Sequence, residues 1–385
     1  MDGSASSTTT LQQPGPNIIR LQQGITRTVK PATSGEKSFK EIPVLDVSRM
    51  YSEDLAEREK LAVEVRDAAT KVGFMQIKNH GVPQEAIDAA FDHVKEFFAL
   101  PLDAKMKLTQ HQNPHFLGYE PLYETNVGGL KRGDCKESFS FAYDPDDDPS
   151  GGKDMPAIIR RVSQWPEPSV VPGYREALVK YQQSLLALAR RFIRIFALAL
   201  NLPEDHFDKM VTHPLAGVRT LHYPPMTGSD DQEIGLGAHT DIEFFTIIVQ
   251  TINKHPALEV LNADGEWIKL YPQFGCFVVN LSDMMMRMTN DIFLSTVHRV
   301  INRGETDRYS IPFFFGANAN ELIEVLPSCT SEENPPKYEG MTTYDHSNAR
   351  LRIARYQHPN AKQAQVFLPK KYVVRKGVPV FPEEQ

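Results

Sequence analysis

Gly235-Leu236-Gly237-Ala238-His239-Thr240-Asp241-Ile242-Glu243-Phe244-Phe245-Thr246-Ile247-Ile248-Val249-Gln250 holds a β-type run, Phe244 to Gln250, directly behind a His-x-Asp triplet. Around it, from Pro203 onward, short β-rich runs alternate with turn signals: Gly217–His222, Glu259–Leu261, Trp267–Leu270, Phe277–Leu281, Thr296–Asn302 and Arg308–Phe315. Asp264-Gly265 between two of these runs is a hairpin signal. Many short strands at close spacing predict a barrel or a two-sheet jelly roll.

The N-terminal half reads differently. Ile42–Val47 suits a strand, Ser52–Val72 an amphipathic helix with Leu55, Leu61, Val65 and Ala69 at helical spacing, and Gly73–Ile77 a second strand. Pro83 suits the first turn of another helix, whose apolar face is Ile87, Phe91, Val94 and Phe98. The longest helical pattern spans Tyr174 to Leu200, with Leu178, Tyr181, Leu185, Leu188, Phe192 and Ile195 on a core-facing stripe. The chain divides into a flexible tail (1–40), a helical and strand region packing on the core (41–200), the strand-rich core (201–330) and a C-terminal wrapping segment (331–385). The N-terminal helices, the loop Tyr119–Lys131 and the C-terminal segment are expected to cap a pocket, and the acidic run Asp144–Asp148 to be a solvated loop.

Bulk properties bound the function. The chain has 385 residues, 41% of them hydrophobic, and a net charge of −7, which speaks against a nucleic-acid partner. No apolar run has membrane-spanning length, and the first residues lack the pattern of a signal peptide. Cys135, Cys276 and Cys329 are isolated, as expected of reduced thiols in a cytoplasmic protein. A monomer acting on a small molecule is the expectation.

The chemistry sits in three side chains. Residues two apart in a strand face one side, so His239 and Asp241 can point to one interior place. His298, in a later β run, can reach the same place across a jelly roll. Two imidazoles and one carboxylate leave coordination positions open, the arrangement of a non-haem Fe(II) centre that binds a co-substrate and dioxygen. A zinc hydrolase can use the same ligands, but the helical metalloprotease motif with its general base is absent from the sequence. In the next run Arg308 and Ser310 share a face, and the apolar stretch from Ile311 to Phe315 implies that Arg308 is buried. A buried guanidinium wants an anion, and its fork matches a carboxylate.

Taken together, Leu221-His222-Tyr223-Pro224-Pro225, Gly235 to Asp241, Asp264-Gly265-Glu266-Trp267, Val279 to Asp283, Ser295 to Val300 and Arg308 to Phe314 resemble the isopenicillin N synthase-like Fe(II)- and 2-oxoglutarate-dependent dioxygenases. Ile42 to Asp46, Gly73-Phe74 and Asn79 to Pro83 extend the resemblance over about residues 40 to 360. It implies an α+β fold: a double-stranded β-helix (jelly roll) core with flanking N-terminal and long central helices. It also implies that His239, Asp241 and His298 bind Fe(II), and that Arg308 and Ser310, helped by the Tyr223 hydroxyl, hold the distal carboxylate of 2-oxoglutarate. The implied reaction oxidises a C–H bond of a small metabolite, a natural-product intermediate or a nucleobase, with O2, releasing succinate and CO2. Two rivals stand beside it: an oxidase of the isopenicillin N synthase kind, which uses no oxo acid, and a catalytically silent metabolite-binding protein.

Three positions depart from the family pattern. Ile242-Glu243 stands where many relatives have an aromatic residue and glycine, Leu221 where plant members often have Asn, and Met288 where Trp is common. Ile242, Glu243, Phe313 and Phe315 are the candidate substrate-pocket residues, with plain core packing the alternative for the two phenylalanines. His80, His93, His206, His213 and His222 read as capping, surface or strand residues, Met284, Met285, Met286 and Met288 as core or pocket filling, and Arg219 as the partner of a structural carboxylate.

Overall fold

The computed structural model describes residues 18–20, 26–28, 38–126, 133–152, 155–226, 234–355, 357–359 and 361. Within the stretch read as a tail it contains a short antiparallel ladder, β1 (Ile18–Arg20) with β2 (Thr26–Thr28), and residues 38–40; the rest of 1–40 lies outside the described residues. Then come β3 (Val44–Asp46), α1 (Leu55–Lys71), β4 (Phe74–Lys78), α2 (Gln84–Phe98), α3 (Leu102–Met106), β5 (Gly118–Glu120), β6 (Glu137–Ala142) and α4 (Tyr174–Ala199). The second half comprises β7 (Pro214–Tyr223), β8 (Leu236–His239), β9 (Phe245–Gln250), β10 (Leu258–Leu261), β11 (Trp267–Lys269) and β12 (Cys276–Leu281). It continues through α5 (Asp283–Met288), β13 (His298–Val300), β14 (Arg308–Asn318), β15 (Leu322–Ile323), β16 (Met341–Thr342) and α6 (Thr343–Ala354).

Local chemistry sets the boundaries. Asp54 caps α1 by accepting from the Ala56 N–H, with Glu57 in the first turn and Lys71 in the last, as the helix dipole favours. Gly73 ends it in a left-handed conformation (φ 71°), its N–H donating to the Ala68 carbonyl. A Cβ at Gly73 would also stand 2.4 Å from the Leu294 carbonyl oxygen, so only glycine fits between α1 and β4. Pro83 occupies the cap position of α2, one residue ahead of the expected first turn.

Two sheets form the core. The large one runs β3-β4-β12-β9-β14-β7-β6-β5 and the small one β11-β10-β13-β8. All their pairings are antiparallel except β3 with β4, and the sheets do not close into a barrel. Residues 41–200 therefore do more than pack on the jelly roll: they supply four strands of its large sheet. Strand alternation splits the apolar residues into two cores. Phe245, Ile247, Ile311, Phe313 and Phe315 face α4, where Phe192 and Phe196 meet Phe245 with ring centroids 6.0 and 5.4 Å apart. Phe74, Leu221, Tyr223, Ile248, Val278 and Val260 face inward, between the sheets. Burial of each such side chain stabilises the fold by about 1.5–3 kcal/mol.

The acidic run is not simply a solvated loop. Asp144 and Asp146 pair with Arg160, Asp147 with Arg175, and the buried Asp148 accepts from Arg190 and from the Tyr143 hydroxyl. The Arg175 and Arg190 contacts fasten the loop to α4. No described helix is long and apolar enough to cross a membrane.

Candidate active site

His239 ends β8 and His298 begins β13, and the antiparallel register sets the two residues opposite each other. Asp241 lies just past β8. Its Oδ1 is 3.6 Å from His239 Nε2 and 3.9 Å from His298 Nε2. Among the described residues this is the one group of three or more His, Cys, Asp or Glu side chains placed to share an ion, its ligand atoms all within 4.8 Å of one another.

Neighbouring groups aim all three. His239 Nδ1 donates to the Gly237 carbonyl (2.9 Å) and His298 Nδ1 to that of Thr296 (3.1 Å), which leaves the Nε2 lone pairs turned to the centre. Phe74 meets the His298 ring edge-on at 5.1 Å. Asp241 Oδ2 accepts from Thr246 Oγ1 (2.5 Å) and Asn280 Nδ2 (2.8 Å), so Oδ1 alone faces the imidazoles. Burial, then the nearby His298, holds His239 down to about 4. Burial opposes ionisation of Asp241, but the two imidazoles and the Thr246 and Asn280 hydrogen bonds outweigh it and keep its carboxyl below the usual value. Neutral imidazoles and an ionised carboxylate are the states a divalent metal requires. Thr246→Val and Asn280→Ala are each expected to weaken metal affinity about 10- to 100-fold with the fold retained. Competitive Fe(II) titration checks this, and unchanged affinity in both would mean that Asp241 needs neither partner.

Arg308 stands opposite Tyr223 in the β14–β7 register, and its guanidinium lies 4.6 Å from the Tyr223 ring centre. It donates to Gln250 Oε1, while its other terminal nitrogen, NH1, is buried without a hydrogen-bond partner among the described residues. Ser310, one pleat further, points the same way, with its Oγ 3.4 Å from the Val249 carbonyl. Arg308, Ser310 and Tyr223 line one cavity of about 220 Å³ together with His239, Asp241 and His298. An orphaned guanidinium nitrogen beside a tyrosine and a serine hydroxyl fits the far carboxylate of a dicarboxylic acid.

The wall of this cavity is not the one expected. Phe313 and Phe315 are fully buried on the helix-facing side of β14, and Pro312 and Phe314, in phase with Arg308 and Ser310, line the cavity instead. Ile242 and Glu243 do line it, and burial, then the charge of Asp241, pushes Glu243 up to about 7. Arg219 also reaches the cavity, but it pairs with Glu120, a buried carboxylate that also holds Lys136. The methionines of α5 are buried and do not line the cavity. His80 stacks on Phe277, His93 pairs with Glu96, His206 meets Phe207 edge-on, His213 lies beside Asn320, and His222 bridges Glu137 and Asp307.

Several supporting residues escape a motif reading. α6 brings Arg350 to Asp283 and to the Thr240 carbonyl, and Leu351 and Arg355 to the cavity, so the C-terminal segment does not merely wrap the outside. Of the other expected caps, α1 and α2 contribute no residue to the cavity lining, and residues 127–131 of the loop Tyr119–Lys131 lie outside the described residues. Thr246, Gln250 and Asn280 are polar residues within otherwise apolar buried strands. That is a sequence signal in itself, because an interior strand keeps a polar side chain only where it has a partner.

Comparison with known proteins agrees with this geometry. The family model described as "2OG-Fe(II) oxygenase superfamily" matches residues 214–317, and that described as "non-haem dioxygenase in morphine synthesis N-terminal" matches residues 42–168. The chain is 35% identical to the 2-oxoglutarate-Fe(II) type oxidoreductase ppzC of Metarhizium majus over 90% of this chain and 97% of the relative. It is 36% identical to the 2-oxoglutarate-Fe(II) type oxidoreductase hxnY of Emericella nidulans, over 79% and 87% respectively. The crystal structure of a full-length Neurospora crassa protein in complex with alpha-KG and thymine superposes with a TM-score of 0.70 at 25% identity, covering 80% of this chain and 96% of that one. The chain belongs to the 2-oxoglutarate–Fe(II) oxygenase superfamily.

Proposed function

We propose that this protein oxidises a C–H bond of a natural-product intermediate, by hydroxylation in the simplest case. In this reading Fe(II) sits on His239, Asp241 and His298, and Arg308, Ser310 and Tyr223 hold 2-oxoglutarate. Coupling to oxidative decarboxylation of 2-oxoglutarate, with Fe(II) and O2, is the activity of the family. Bound iron supplies the place where dioxygen and the oxo acid meet. The protein does the rest: His239 and His298 present Nε2, and Asp241 presents one oxygen because Thr246 and Asn280 occupy the other. Arg308 fixes the co-substrate by its far end, and the apolar walls around Ile248, Leu258 and Phe314 keep water from the oxidant.

The observation that carries the reading is the unpartnered NH1 of Arg308 in the cavity that holds the triad. The test is succinate release from 2-oxoglutarate by iron-loaded protein in air. Succinate that depends on both Fe(II) and 2-oxoglutarate is the expected result. Oxygen uptake without succinate would turn the reading to an oxidase. Neither oxygen uptake nor succinate would turn it to a silent binding protein.

A monomer in the cytoplasm, acting on a small molecule away from nucleic acid and membranes, is the accompanying proposal. Three free cysteines and a net charge of −7 support it.

A further inference from the structure

Glu243 takes no part in holding iron or 2-oxoglutarate, yet its side chain enters the same cavity as Asp241. It is 9% exposed and lies against Gly316, where an added Cβ would stand 3.0 Å from Glu243 Cγ. Arg161 lines the cavity too, with one guanidinium nitrogen 3.3 Å from the Ala216 carbonyl oxygen. The charges of Glu243 and Arg161 act on each other, but among the described residues neither has an ion-pair partner within 4 Å.

The other cavity arginines are accounted for. Arg219 and Arg355 turn to Glu120, Arg350 to Asp283, and Arg308 is the one assigned above to 2-oxoglutarate. Glu243 and Arg161 thus retain capacity, and His115 also lines the cavity within reach of the Arg161 charge. A carboxyl buried without a charged partner is costly, and a ligand can supply the missing one.

We propose that Glu243 and Arg161 are specificity residues for a small nitrogenous substrate. Glu243 accepts a hydrogen bond from a substrate N–H, and Arg161 donates to a carbonyl or carboxylate oxygen of the same molecule. Ionised or protonated, Glu243 keeps an acceptor oxygen, so the pairing does not depend on its charge. Phe116, Leu117, Phe314 and Leu351 wall the cavity for the carbon skeleton. Lactams, cyclic imides and cyclic amino acids carry the required donor and acceptor. The inference rests on the oxygenase reading above, which supplies the reaction.

The test uses the full chain loaded with Mn(II) and 2-oxoglutarate without oxygen. It is titrated calorimetrically with lactams, cyclic imides and cyclic amino acids, each beside a methylated counterpart without an N–H: N-methyl for the lactams and imides, the quaternary N,N-dimethyl betaine for the amino acids. In at least one pair the N–H compound is expected to bind tenfold tighter or more, because a site built for a donor rejects the analogue that lacks it. Whether that pair is a neutral lactam or a zwitterionic amino acid tells which kind of N–H is read. The preference is expected to fall within twofold in Glu243→Leu, and in Glu243→Ala, which cannot crowd Gly316 should the leucine variant not fold. It is expected to persist in Glu243→Gln, which keeps an acceptor oxygen. Arg161→Leu is expected to weaken both members of the pair alike by tenfold or more.

No preference in the wild-type protein, or a preference that survives loss of the carboxyl, overturns the proposal. Unchanged affinity in Arg161→Leu overturns its second half. Failure of the wild-type protein to bind 2-oxoglutarate with Mn(II) would instead count against the oxygenase reading itself.

Discussion

Asp241→Ala is expected to lower turnover by roughly 10³-fold or more, on the order of 4 kcal/mol in the barrier, and to leave the purified protein nearly free of iron. The reason is local. Asp241 is the only anion among the three candidate ligands, and its Oδ1 lies 3.6 and 3.9 Å from the two Nε2 atoms. Without it, two imidazoles alone are left to hold a divalent cation in a buried cavity. Thr246 and Asn280 lose their shared acceptor as well, at a cost of about 1–3 kcal/mol for each buried donor left unpaired, so some loss of melting temperature accompanies the loss of metal. Iron content by elemental analysis and succinate release are the measurements. Full turnover of the variant with iron supplied would remove Asp241 from the site.

Arg308→Leu is expected to raise the KM for 2-oxoglutarate by about two orders of magnitude, since removing one partner of a buried charge pair costs about 2–5 kcal/mol. Arg308→Lys should rescue little, because a point charge does not reproduce the guanidinium fork. Stability supplies the sharper signature. Without ligand Arg308 is a buried cation held by the Gln250 amide and the Tyr223 ring, with no carboxylate partner among the described residues. Replacing it with an apolar residue of similar reach therefore costs the ligand-free fold little. Wild-type protein should gain melting temperature as 2-oxoglutarate and Mn(II) are added together, and the variant should lose most of that gain. If the variant melted far below the ligand-free wild type, Arg308 would be a structural residue first.

How much of this was legible in the chain follows from where each kind of information lies. The helices α1, α2 and α4 announce themselves because a long apolar stripe at period 3.6 has few other readings. The metal triad is legible for another reason: a two-residue spacing on a strand is local geometry, and only the second histidine needs the fold. Phe313 and Phe315 show the limit. Their strand is apolar on both faces because both faces are buried, so hydrophobicity alone does not say which parity meets the cavity. Arg308 and Ser310 settle it by their own chemistry, and their parity belongs to Pro312 and Phe314.

By itself the sequence determined the fold class, the choice of His239, Asp241 and His298 as candidate ligands, and the placing of Arg308 and Ser310 on one strand face, because each depends on residue type and short-range periodicity. Tertiary structure alone decided the rest. It set His298 opposite His239, gave Asp241 its partners Thr246 and Asn280, brought Arg350 from the C-terminal helix to Asp283, and turned Glu243 and Arg161 into one cavity. Most of those contacts join residues tens of positions apart. Their energies come from burial and register between sheets and helices, which no window of local sequence contains.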